Sequence, residues 1–361
     1  MEEKKTYVYD LETLDIFTAT FVDKDSDEIR TFVISSNKDE REALFYFLKH
    51  NVAALIGYNC IHFDAQILEY MFRNPDCSAQ QIRIYAEIIT GSDNRKPDVP
   101  EWKLSIPHLD LFRALSLSTK AKRVGLKWCE YQMDMDNIED MPSQGDGDSW
   151  EDKVLAYNYN DVLATKELYK RYYHEIELRK IMTDREGVNL LNSTEPDIAK
   201  KLFGKYLARD MNIPMNDLRT MYTSRAVVSI KDIIFPYVNF KSTELRLVYK
   251  SFRNLNVFEN DKFEIEIKFG GIPIVYALGG IHGSVNNKIV RSNDTHIIKS
   301  ADVVSYYPNL AIKNKLHPEH IPQEIFIRLY ERLFNERRSI PKKDPRNYIL
   351  KIMLNAVDIM K

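Results

Sequence analysis

The feature that most restricts how this chain can fold is the change of hydrophobic period near its N-terminus. KTYVYDLETLDIFTATFVD is apolar and β-branched with little helical period, and reads as two short strands separated by a turn. EREALFYFLKHN then takes helical spacing, AALIGYN returns to a strand, and DAQILEYMFRN is helical again. Strands and helices that alternate in this way bury their apolar faces by laying helices on a sheet, so the expected class is a layered α/β fold.

The rest of the chain extends this reading. SQGDGDSWED is a turn-rich acidic connector, and the residues from Trp150 to Ile181 read as one long helix. The composition shifts around Asn192–Pro196, and a mostly helical stretch follows to about Ala226. From Lys231 to Lys288 the pattern is extended, with FGGIP and YALGGIHG inside it, and a strand is expected to lead into SADVVSYYPNLA. The tail ERLFNERRSIPKKDPRNYILKIMLNAV reads as two helices interrupted by IPKKDP, because proline ends a helix. The length of 361 residues suits two or three domains at ~100–200 residues each, and a first boundary is placed near residue 190.

Composition narrows the class without fixing it. A hydrophobic fraction of 44% supports packed cores. No run approaches the ~20 apolar residues of a membrane span, and the charged start MEEKKTYVYD lacks signal-peptide anatomy. Cys60, Cys77 and Cys129 form no CxxC pair, which argues against a disulfide framework or a zinc site. An intracellular, cytoplasmic protein with no membrane partner is expected. The net charge of −2 is not the basic footprint of most nucleic-acid binders. Charge is uneven, however: Lys120, Lys122, Arg123 and Lys127 form a basic stretch, Arg328 to Lys343 another, and Asp134 to Asp152 an acidic one.

Four carboxylates and a tyrosine carry chemistry. Asp10 and Glu12 stand two apart on an expected strand, so both project to one face. Paired hard oxygen donors of this kind suit Mg²⁺ or Mn²⁺, and two solvated surface acids would give the same pattern. Asp64 follows a strand and opens a helix, where an acid also serves as a first-turn residue. Tyr157 and Asp161 are i and i+4 on the long helix and can reach one site. A core-packed tyrosine on an amphipathic helix explains that spacing as well.

Taken together and in order, these residues resemble the DEDD exonuclease superfamily in its tyrosine subclass. The three motifs are matched by Asp10–Glu12, by Asn59 through Phe63 and Asp64, and by Tyr157 through Asp161, while Ala156 stands where the histidine subclass has histidine. The resemblance implies a ribonuclease H-like fold in which Asp10, Glu12, Asp64 and Asp161 bind two divalent metal ions. It further implies that Tyr157 orients the attacking water and that Asn59 and Phe63 line the track of a 3′ end.

Further along, Asp302-Val-Val-Ser305-Tyr306-Tyr307-Pro308 resembles motif A of B-family DNA polymerases, with Tyr306 in place of the usual leucine. This likeness implies a palm metal ligand at Asp302, contacts to a nucleotide at Ser305 and Tyr306, and a steric gate against ribose at Tyr307. Gly279 and Gly280 resemble the glycine pair that precedes motif A in phage and plasmid members, where backbone approaches DNA. Lys351 and Asn355 resemble the start of motif B, with Lys351 meeting incoming phosphates and Arg337 assisting. The likeness then fails: Asp358-Ile359 stands where the family has Tyr-Gly, and no D-T-D motif follows motif A.

The architecture so implied is a ribonuclease H-like 3′→5′ exonuclease domain over 1–190. A linker and incomplete α+β palm over 191–325 and a partial fingers helix pair over 326–361 follow. The implied partners are a single-stranded DNA 3′ end, primer–template DNA, a deoxynucleoside triphosphate, and a second polypeptide carrying the remaining polymerase. Nucleotide addition is not expected from this chain alone, because one palm aspartate cannot place two metals. The other readings are a free-standing DNA or RNA exonuclease and a non-catalytic scaffold that binds DNA and a partner.

Overall fold

The computed structural model describes residues 3–91, 97–119, 122–143, 150–258, 261, 264–277 and 280–356. A five-stranded mixed sheet organises the N-terminal part, in the order β3-β2-β1-β4-β5. Its strands are β1 (Lys5–Thr13), β2 (Phe17–Asp23), β3 (Ile29–Ile34), β4 (Val52–Gly57) and β5 (His108–Asp110). β1 to β3 run as an antiparallel meander, while β4 and β5 lie parallel to β1 and to each other. The helices are α1 (Arg41–His50), α2 (Asp64–Arg73), α3 (Ala79–Thr90), α4 (Leu111–Ala114), α5 (Leu126–Gln132), α6 (Trp150–Arg171), α7 (Tyr173–Glu186) and α8 (Glu195–Met211).

β1 is central and is buried on both faces, with Tyr7, Val8, Tyr9 and Leu11 supplying its apolar residues. Tyr7, Tyr9 and Leu11 enter one core with Leu44, Phe47, Ile67, Leu68 and Ile82 from α1, α2 and α3. Val8 enters the opposite core with Val162, Leu168 and Tyr169 from α6. Asp10 and Glu12 follow Val8 at intervals of two, so the pleat turns both acids toward the α6 side.

The ladder itself makes room for a site. β1 pairs with β2 as far as Thr13↔Phe17, but with β4 only as far as Val8↔Ile56. β4 then leaves through Gly57, where a Cβ would lie 2.6 Å from that of Cys60. Only glycine permits so close an approach. One edge of β1 beyond Val8 is therefore without a backbone partner in the sheet.

Several elements differ from the sequence expectation. The single helix expected from Trp150 to Ile181 is two, because Tyr172 (φ −107°, ψ 21°) steps out of helical geometry between α6 and α7. Within the stretch expected to be extended, Thr243–Arg253 is a helix, started by the Ser242 side chain accepting from Leu245 N. A serine N-cap ahead of a Leu/Val stripe is a local signal that outweighed the surrounding β pattern. Strands Glu264–Phe269, Ile272–Ala277 and Gly280–Gly283 do form an antiparallel sheet. The strand expected before Tyr306 is not formed: residues 301–303 pair with no neighbouring strand. The two tail helices are Gln323–Ser339 and Pro345–Ala356.

The chain divides into two compact units, residues 1–209 with 332–360, and 210–331. The expected boundary near residue 190 falls inside the first, just ahead of α8. Among the described residues no helix is long and apolar enough to cross a membrane. All three cysteines are free and buried.

Candidate active site

Asp10 and Glu12 from β1 and Asp161 from α6 converge, with ligand oxygens all within 4.8 Å of one another. Among the described residues this is the one such grouping of three or more histidine, cysteine or acidic side chains. Glu12 and Asp161 are buried, and Asn158, one helical turn before Val162, donates from Nδ2 to Asp10 Oδ2 at 2.9 Å. The Asn158 Oδ1 is buried without a partner.

Asp64 is the first residue of α2, as its position after a strand implied. It is not one of the three converging ligands. Its Oδ1 accepts from Leu11 N at 3.2 Å, on the edge of β1 that β4 leaves free. The backbone between Asp10 and Glu12 thus fixes the fourth acid beside the other three.

The electrostatics are those of a site short of positive charge. Burial pushes the Asp10 carboxyl well above its ordinary range, and the charges of Asp64, Glu12 and Asp161 add to the push. Glu12 is raised to about 8 by burial and then by Asp161 and Asp64. Asp64 is raised to about 8, chiefly by burial. Asp161 is raised by burial and eased by Lys127. Acids crowded out of water in this way either hold protons or hold cations. The donor set is all hard oxygen, and it fits a hard divalent cation.

Tyr157 is buried on the same face of α6 as Asp161, one turn earlier. Burial, then the negative charge of Asp161 and Glu12, keeps its hydroxyl protonated far above the usual range. Over its ring, at 4.4 Å, lies the Lys127 ammonium. Lys127 Nζ donates to Asp161 Oδ1 at 2.5 Å and to Glu130 Oε1 at 3.3 Å. Sequence reasoning counted Lys127 only within a basic stretch. Its helix, α5, is seven residues long, too short for a periodic pattern to show which side faces inward.

Asp110 was missed altogether. It is fully buried, and its carboxylate accepts from the amides of Asn59 (2.9 Å), Ile61 (3.2 Å) and Phe112 (3.0 Å). That clamp holds the turn between β4 and α2, including Asn59 in left-handed geometry (φ 57°), and so delivers Asp64. Asn192 Oδ1 accepts from Asp110 N at 2.8 Å, and Asn192 Nδ2 donates to the His108 carbonyl at 2.7 Å. Phe63, half-buried, lines a 300 Å³ cavity with Thr13, Leu14 and Trp150.

The downstream residues form no comparable cluster. Asp302 is exposed, and Ser305 (φ 50°) precedes the helix Tyr306–Asn314. Tyr306 and Tyr307 are exposed and meet edge to face at 5.4 Å. Gly280 opens a strand at φ 135°, whereas Gly279 lies outside the described residues. Arg337 Nε donates to Asn347 Oδ1 at 3.3 Å, and Lys351 is exposed on the helix Pro345–Ala356. Among the described residues Asp302 belongs to no group of three or more histidine, cysteine or acidic side chains.

Residues 6–173 match the family model of the RNase_H superfamily. The converging acids, α6 and all of the five-stranded sheet but Lys5 lie inside that match, so this part of the chain is similar to the RNase H superfamily, and its acidic triad is consistent with divalent metal binding. No protein of curated function matches the chain.

Proposed function

We propose that this domain is a metal-dependent 3′→5′ exonuclease acting on single-stranded DNA ends, with Asp10, Glu12, Asp64 and Asp161 as its two-metal ligand set. The convergence of Asp10, Glu12 and Asp161 within 4.8 Å carries the reading. Divalent ions bound there supply charge stabilisation for the attacking and leaving oxygens of phosphodiester cleavage. The chain's own groups do the positioning. Asn158 holds Asp10, Leu11 N holds Asp64, and Lys127 holds Asp161. The Tyr157 hydroxyl, kept protonated beside Asp161, orients the water that attacks. Phe63, Leu14 and Thr13 shape the cavity next to these acids into which a terminal base stacks.

The wider context we infer is the N-terminal portion of a B-family DNA polymerase. Its support is the order of motifs, with Asp302, Ser305, Tyr306, Tyr307, Gly280, Arg337 and Lys351 following the nuclease residues along the chain. In this reading Asp302 is a palm ligand, Tyr307 a sugar gate, and Lys351 with Arg337 a phosphate contact. Tested alone, these 361 residues release nucleotides from a primer and do not add them.

The experiment is digestion of a 5′-labelled primer with Mg²⁺, comparing the natural chain with Asp10→Ala. Progressive shortening from the 3′ end by the natural chain, and a loss of about 10³-fold or more in the variant, is expected. Equal digestion by both sinks the assignment. Internal cuts in place of a ladder would leave an endonuclease, and early release of the labelled 5′ nucleotide an exonuclease of the opposite polarity.

A further inference from the structure

We propose that a second cavity in the first unit, walled by α5, the junction of α6 and α7, and the helix Pro345–Ala356, binds a guanine base. The cavity measures 480 Å³, a size typical of small-molecule sites. On its wall stands Arg179 of α7, which is 4% exposed. The Arg179 Nε is buried with no hydrogen-bond acceptor, although the charges of Glu195 and Glu175 act on the guanidinium. A buried guanidinium nitrogen left without an acceptor is costly, and a native structure holds few of them without a reason. Burial lowers its pKa, against the opposing influence of Tyr348, Glu195 and Glu175.

A bare oxyanion does not suit this cavity, because Glu175 and Glu195 line it beside Arg179. A neutral ring with acceptors on one edge and donors on another does. Guanine O6 and N7 accept both arms of an arginine fork, and its N1–H and N2–H₂ donate to a carboxylate. Glu195 takes the Tyr348 hydroxyl on Oε1, and a carboxylate keeps further lone pairs free. Half-exposed Trp128 and Tyr172 line the same cavity and offer flat faces for stacking. Adenine places an amino donor where guanine has O6, so it opposes the arginine instead of satisfying it.

The guanine could come from a free nucleotide or from a nucleic-acid strand, and the test separates the two. Calorimetric titrations use the full chain, guanosine and adenosine 5′-monophosphates, inorganic phosphate, and short oligo-dG and oligo-dA. Guanosine monophosphate, or oligo-dG alone if the source is a strand, is expected to bind about tenfold or more tightly than its adenine counterpart. Arg179→Gln should erase that preference, and Trp128→Ala on the cavity's rim should weaken binding if the first variant misfolds. Asp161→Asn should bind guanine unchanged, which keeps this result independent of the nuclease reading. Equal binding of guanine and adenine ligands, competition by phosphate as strong as by the nucleotide, undiminished binding by a folded Arg179→Gln, or no binding at all overturns the proposal.

Discussion

At 2.5 Å from Asp161 and 4.4 Å above the Tyr157 ring, the Lys127 ammonium is the cation that keeps the metal-free acids together. Glu130 depends on it as well, being fully buried with one oxygen unpartnered. Lys127→Ala should therefore destabilise the metal-free protein by about 1–3 kcal/mol, the usual penalty for leaving a buried polar group without its partner. Mn²⁺ should restore more of the melting temperature in this variant than in the natural chain, because bound metal replaces the lost charge. Calorimetric melting with and without Mn²⁺ decides it, and an unchanged metal-free midpoint refutes the role. Tyr157→Phe keeps the ring and loses the hydroxyl, so nucleotide release should slow about 10²-fold with metal binding intact. Single-turnover digestion alongside metal titration reads both, and an unaltered rate assigns the tyrosine to packing. The sequence brought Asp10, Glu12 and Asp161, which converge in the fold, to notice through the resemblance of an ordered set of motifs that also names Asp64 and Tyr157, since each local pattern alone had an ordinary structural explanation. It did not show Lys127 or Asp110, because each acts through partners far along the chain, 34 and about 50 residues away.

Elements deliver these residues, and α2 shows how. β4 leaves the ladder at Gly57, Asp110 clamps the amides of Asn59 and Ile61, and the helix then starts on Asp64. The clamp's rear support comes from beyond the boundary expected at residue 190. Asn192 holds the Asp110 amide, and Glu195 N donates to Ser116 Oγ at 2.8 Å. A fragment ending at 190 lacks both contacts, and also lacks α8 with its buried Ile198, Leu202, Phe203 and Leu207. A fragment ending at 211 keeps the contacts that do not involve the tail helices. The longer fragment should be the more stable, by several degrees in thermal melting, and should bind Mn²⁺ more tightly; equal stability would show that the clamp needs no rear support. Strand–helix alternation up to α2 was legible because the apolar period changes cleanly there. The break at Tyr172 was not, since the apolar spacing runs on through it, and neither was Thr243–Arg253, set inside a β-rich stretch. The segment before Tyr306 has strand composition yet finds no neighbouring strand, and composition alone cannot supply one.

For the molecule as a whole, the raised acids set how stability depends on pH. Glu12 and Asp64 are each raised to about 8, and Asp10 is raised well above its ordinary range. A carboxyl whose folded pKa exceeds its unfolded value binds more protons when folded, so unfolding releases protons between the two values. Its stabilising contribution is complete below the ordinary carboxylate range and is lost as pH rises toward about 8. Asp23 and Glu28, lowered by hydrogen bonds that include those from Lys5, act in the opposite sense, and their contribution fades only under more acid conditions. The metal-free chain should consequently melt at a higher temperature near pH 5 than near pH 8, unlike most proteins, whose paired acids favour neutral pH. Divalent metal reverses the slope, because the ions bind the deprotonated acids and compete with protons for them. In saturating Mn²⁺ the midpoint should rise from pH 5 to pH 8, and the gap between metal-loaded and metal-free curves should widen over that interval. Asp10→Asn with Glu12→Gln removes two of the titrating groups and should flatten both trends. Melting curves at half-unit pH steps, with chelator and with Mn²⁺, make the comparison. Parallel curves would mean that these acids are too solvated to carry raised pKa values, and the case for a cation site would weaken with them.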